Sequence, residues 1–147
     1  MDNQLKSKTR LVAIQIVSQQ ILNHENIESI KNDFDKYYRN TIIDENSEKV
    51  QYNVNFLSKL TTYYKTTNFK KLSEEINGFI KFDRQFEKWD NINQAIILMA
   101  ISEIRNSKKE KVKIILNDYI EISKSFVSLD STKLVNSILD KLINEKK

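Results

Sequence analysis

The sequence predicts an all-α fold, and three features lead there. The chain of 147 residues has no proline and one glycine, Gly78, against usual contents of about 5% and 7%, so the residues that punctuate strands and tight turns are nearly absent. Apolar residues recur at three-and-four spacing through most of the length, which puts them on one side of a helix. Hydrophobic residues make up 39% and charged residues 30%, too apolar for a disordered chain and ordinary for a packed one. A chain this long is expected to form one domain and to bury about two-thirds of its unfolded surface.

Leu11, Ile14, Val17, Ser18, Ile21 and Leu22 share one helical face and predict a first helix over residues 5–23. After His24, Glu25 and Asn26, the residues Ile27, Ile30, Phe34, Tyr37 and Tyr38 predict a second helix ending near Asn40. The polar run from Asp44 to Ser47 predicts a loop rich in capping side chains. Val50, Val54, Leu57, Leu60, Tyr63 and Tyr64 carry a third helix, and Thr66, Thr67 and Asn68 read as a break before Phe69, Leu72, Ile76, Phe79 and Ile80. These helices make an N-terminal subdomain of about residues 1–82, and Phe82–Phe86 joins it to a C-terminal subdomain of about 83–147.

The second part begins differently. Ala95–Ile101 is apolar all the way round a helix, so that helix is expected at the centre of the fold. Val112, Ile115, Leu116, Tyr119 and Ile120 then form the dry side of an amphipathic helix whose wet side holds Lys113, Asn117, Asp118, Glu121 and Lys124. A last helix is expected after Asp130 and Ser131, either of which can cap it, burying Leu134, Val135, Ile138, Leu139, Leu142 and Ile143.

The residue types exclude much chemistry. With no cysteine there is no disulfide, zinc–thiolate site or thiol nucleophile, and a single glycine cannot build a phosphate-cradling loop. His24 is the only histidine and sits at the expected end of the first helix, a surface role rather than a proton shuttle. Glu74 with Glu75, Asp118 with Glu121, and Asp130 with Asp140 are interspersed with lysines and read as solvated ion pairs rather than metal ligands. No enzyme activity, cofactor or metal is expected. No run reaches the roughly 18 to 20 apolar residues of a membrane span, and the N-terminus lacks an apolar signal core, so the expected compartment is the cytoplasm, with no membrane partner.

What remains is binding. The net charge is +4, a mild bias toward polyanions. Lys6, Lys8 and Arg10 stand near the start of the first helix, where the helix dipole disfavours positive charge. Such a cluster suits phosphate contact with counterion release; the plain alternative is a solvated N-terminus. A second basic group, Arg105, Lys108, Lys109, Lys111 and Lys113, reads as a solvated turn after the buried helix.

Gln94–Ile104, Leu116–Phe126 and Asp130–Lys141 carry three motifs, and in this order they resemble the NusB family of bacterial transcription antitermination factors. Gln94–Ile104 is similar to the family's run of Ala and aliphatics closing on Glu-Leu. Leu116–Phe126 (LNDYIEISKSF) resembles its Ile-Asn-Glu-x-x-Glu-Leu-Ala-Lys-x-Phe, and Asp130–Lys141 (DSTKLVNSILDK) its Asp-Ser-x-Lys-Phe-Val-Asn-Gly-x-Leu-Asp-Lys. Order and spacing agree over residues 86–141; in the first half the match is mainly one of helix pattern, with Ala13 and Gln15 at corresponding positions.

The resemblance implies a fold of about seven helices in two small subdomains, without catalysis. It further implies a partnership with the ribosomal protein NusE, recognition of boxA-type single-stranded RNA in ribosomal RNA transcripts, and work within the transcription elongation complex. Onto the family's RNA-contacting positions fall Lys6, Lys8, Arg10 and Lys133; Asp130 takes a position associated with NusE. The local alternatives are that Asp130 and Ser131 are caps, that Asn117 and Asn136 satisfy backbone groups, and that Lys133 is solvated. Leu134 stands where the family often has Phe, Ser18 where an aromatic is common, and Val127 and Ser137 where it has glycines. The resemblance also allows a homodimer formed through the RNA and NusE face. Two other readings are a freestanding protein-interaction module, and an accessory domain acting in trans with a ribosomal RNA cytosine methyltransferase, since no such domain follows before Lys147.

Overall fold

A computed structural model describes residues 2–38, 52–80 and 85–144. Among the described residues there are seven α-helices and no strand: α1 Asn3–Asn23, α2 Ile27–Asp33, α3 Val54–Lys65, α4 Phe69–Phe79, α5 Asn91–Arg105, α6 Val112–Ser123 and α7 Leu129–Asn144. Short 3-10 turns precede α5 and α6, at Phe86–Lys88 and Lys109–Lys111. Asn40, the loop expected at Asp44–Ser47, Val50 and the Phe82–Arg84 part of the connector lie outside the described residues.

Side-chain caps do the punctuation that proline and glycine usually share. Asp2 accepts the Leu5 N–H at 2.8 Å, Asn26 the Glu28 N–H at 2.8 Å, Asn53 the Phe56 N–H at 2.8 Å and Asn68 the Lys71 N–H at 3.0 Å. Each satisfies one of the free N–H groups that opens a helix. His24 closes α1 in the left-handed conformation, φ 57°, its N–H bonded to the Gln20 carbonyl at 2.8 Å. Two expectations shift. The second helix widens into a π-helical turn over Phe34–Tyr38, in which Asp35 accepts from Lys31 Nζ at 2.8 Å and Tyr52 Oη at 2.7 Å. The last helix starts at Leu129, ahead of Asp130 and Ser131, because the Ser128 hydroxyl accepts the Ser131 N–H at 3.1 Å.

α5 is the axis of the fold. Every residue from Gln94 to Ile104 is buried, and α1, α3, α6 and α7 pack around it. Two of its buried polar side chains bond to nearby carbonyls: Gln94 Nε2 donates to the Trp89 carbonyl at 2.7 Å, and Ser102 Oγ to the Leu98 carbonyl at 2.6 Å. α1 buries more than one stripe, since α2, α3, α5 and α6 all touch it. Val12, Ala13 and Ile16 are therefore buried alongside Ile14 and Val17, whereas Leu22, expected on the dry face, is exposed where the helix runs past the core. Phe86, expected as part of a connector, is wholly buried, with Trp89 edge-on at 5.2 Å and Phe69 at 6.1 Å. Core residues from both sides of that connector, such as Leu60, Ile76, Leu98 and Leu139, belong to one cluster.

Candidate nucleic-acid interface

The first turns of α1 carry the basic residues picked out in the sequence. A helix advances about 100° per residue, so Lys6 and Arg10 share a face, while Lys8 points to the other side. Lys6 and Lys8 are partly exposed and form no ion pair with a described residue. Lys8 joins Asn3, Gln4 and Ser7 around a surface depression of about 570 Å³.

Arg10 is placed differently. It is 6% exposed, and its guanidinium forks onto one carboxylate, Nε to Glu103 Oε1 at 2.9 Å and Nη2 to Glu103 Oε2 at 2.7 Å. Nη1 donates to Asp118 Oδ2 at 2.6 Å, and the rings of Phe56 and Tyr119 lie 5.4 and 5.8 Å from the guanidinium carbon. Burial opposes the charge, but the hydrogen bond and charge of Glu103 and the hydrogen bond of Asp118 outweigh it and raise the affinity for the proton. Its donors toward α5 and α6 are thus occupied, and Arg10 is a strut between α1, α5 and α6 rather than an open phosphate ligand.

The same network holds the helix start in place. Ser7 Oγ donates to Asp118 Oδ1 at 2.5 Å, and Tyr119 Oη to Glu103 Oε1 at 2.8 Å. Tyr119 is fully buried; that burial first, then the charge of Glu103 and the hydrogen bond to it, push its phenol well above the ordinary range. Of the two acids expected in solvated pairs with nearby lysines, Glu121 does pair with Lys124, whereas Asp118 pairs with Arg10 in a largely buried network. The cation of Asp118 lies 108 positions away, beyond any helical spacing. Sequence reading overlooked this network, although one signal was present: Glu103 closes a helix that is otherwise apolar all round, and a buried carboxylate requires a cation.

Asp130 and Lys133 lie on the first two turns of α7, both exposed and neither ion-paired with a described residue. Asp130 is within the first turn, where the helix dipole favours an acid. Ser123 Oγ of α6 is 3.4 Å from Thr132 Oγ1 of α7. Asp118 and Ser123 are five residues apart, about 7–8 Å along a helix axis and about 140° around it, so α6 braces the first turns of both α1 and α7 from different sides. Phe126 and Leu129 stay 37% and 65% exposed beside Asp130. Asn117 and Asn136, expected to satisfy backbone groups, are exposed and bond to no described backbone group. Leu134 is partly buried against the core. Among the described residues no group of three or more His, Asp or Glu side chains is arranged to hold a metal, and no helix is long and apolar enough to cross a membrane.

An all-helical protein wrapped around one buried helix, with exposed charge at two helix starts that both pack on α6, defines the class. A sequence model of the NusB family matches residues 7–144, and the chain belongs to that family. It is 27% identical to the transcription antitermination protein NusB of Shewanella frigidimarina over 143 residues, 96% of each chain. With the protein of that name from Rickettsia bellii it shares 28% over 144 residues, 97% of this chain and 92% of that one. The likeness to the Colwellia psychrerythraea protein of that name is 33% over 78 residues, 53% of this chain and 55% of the relative.

Proposed function

We propose that the chain is a transcription antitermination factor that pairs with NusE and binds boxA-type RNA of ribosomal RNA transcripts. The observation that carries this reading is the NusB family match over residues 7–144, which takes in Lys8 and Arg10 on α1 and the whole of α7. Lys6 and Lys8 on α1 and Lys133 on α7 are the phosphate contacts. Arg10 acts one step back, by fixing the direction in which α1 presents the two lysines.

Asp130 is the contact to NusE. The exposed Phe126 and Leu129 beside it support a protein rather than RNA at that turn, because apolar side chains flanking a charge are what a protein interface desolvates. With Leu134 and Ser18 at positions where the family often carries aromatics, base stacking contributes less and the protein partner more.

The test is a titration of boxA and scrambled RNA with the protein alone and with NusE, at two salt concentrations. NusE is expected to bind and to sharpen the preference for boxA; if it does neither, the proposal fails. Replacing Lys6, Lys8 and Lys133 with Ala lowers the salt slope by about one unit per lost phosphate contact. An unchanged slope returns those lysines to ordinary surface. Light scattering at two protein concentrations tests for a homodimer through the same face, which RNA and NusE would dissociate.

A further inference from the structure

A second surface lies at the opposite end of α7 from Asp130. The end of α5, the 3-10 turn at Lys109–Lys111, the start of α6 and the end of α7 enclose a trough of about 980 Å³. Its apolar lining includes Ile104, Val112, Leu116 and Ile143. Lys109 and Lys113 stand among its lining residues, with Lys108 and Lys111 exposed in the same segment, and none of the four is ion-paired with a described residue. Arg105, also at the trough, reaches Glu75 at 3.3 Å. Among the described residues, Asp140 is the only carboxylate in the lining.

We propose that this trough docks an acidic amphipathic helix of a protein partner. Its aliphatic floor gains from losing water to an apolar face, and the unpaired lysines complement glutamates or aspartates on the flanks of such a helix. Among the described residues the lining contains no aromatic side chain, so these offer single-stranded RNA nothing to stack on. Its polar groups belong to the exposed Arg105, Lys109, Lys113, Asn117 and Asp140 and to Ser107, whose hydroxyl donates to the Glu103 carbonyl, without the convergent buried donors that fix a small ligand. The basic segment that reads in the sequence as a solvated turn thus becomes one wall of a binding surface. The proposal stands apart from boxA and NusE recognition and survives if that reading fails.

The probe is a fluorescent peptide with leucines at helical three-and-four spacing and glutamates elsewhere, read by anisotropy and by amide chemical shifts of the protein. Saturable binding is expected, with shifts centred on Ile104, Val112, Leu116 and Ile143. The double variant Lys109→Glu, Lys113→Glu changes only exposed side chains, so its circular dichroism matches the parent, and it binds the peptide about ten-fold more weakly with boxA affinity unchanged. The proposal is overturned by an absence of saturable binding, by equal binding of a scrambled peptide of the same composition, or by shifts elsewhere. It is equally overturned if the double variant loses affinity for single-stranded RNA instead of the peptide.

Discussion

At Arg10, two carboxylates from different helices take up the hydrogens of one guanidinium, and removing that cation leaves Glu103 and Asp118 facing each other. Arg10→Met is expected to cost about 3–5 kcal/mol, the range for breaking a buried pair from one side. Urea denaturation measures it, and adding Glu103→Gln recovers part of the loss because the stranded charge is gone. Tyr119 makes the network sensitive to alkali. Its phenol ionises near pH 10 when the chain is unfolded, but only well above that when folded. Above about pH 10 the unfolded state therefore holds fewer protons than the folded one, so stability is full below that pH and falls as pH rises. Thermal midpoints across pH 8 to 11 should show this fall, and Tyr119→Phe should flatten it. Lys6, Lys8 and Arg10 read as one cluster in the sequence because type and spacing were all there was to compare. The partners that separate Arg10 from the lysines lie 93 and 108 residues away.

Helix boundaries at the element scale were legible wherever a capping side chain sits next to an apolar repeat, as at Asn26 and Asn68. They were misread where several polar residues competed for the same cap. Ser128, Asp130 and Ser131 all qualify by type, and only the hydrogen bond from the Ser131 N–H decides for Ser128. Ser128→Ala is expected to destabilise the protein by about 1 kcal/mol. Faster amide exchange at Ser131 and Thr132 is the local sign of it. The same change loosens the turn that presents Asp130, so NusE affinity should drop modestly while the RNA salt slope stays fixed. The π turn after α2 had no such signal, since Phe34, Tyr37 and Tyr38 fit an ordinary helical repeat; the bond from Tyr52 to Asp35 crosses a connection that periodicity does not describe.

On the scale of the whole molecule, α5 is the feature the sequence announced most clearly, because a helix without a polar face has nowhere to go but the centre. Since residues on both sides of the connector share its core, unfolding is expected in one step. Fluorescence of Trp89, the only tryptophan, and far-ultraviolet circular dichroism should give coincident transitions; two separated midpoints would mean that the subdomains melt independently. The long span between Arg10 and Glu103 also has a consequence in time. A nascent chain that lengthens at about 5–20 residues per second exposes α1 for roughly 5–20 s before its buried cation meets the first of its acids. During that interval Ile14, Ile16 and Val17 have no α5 to cover them, and the arginine that later cannot reach solvent is fully hydrated, an obstacle to premature packing of the helix that carries it.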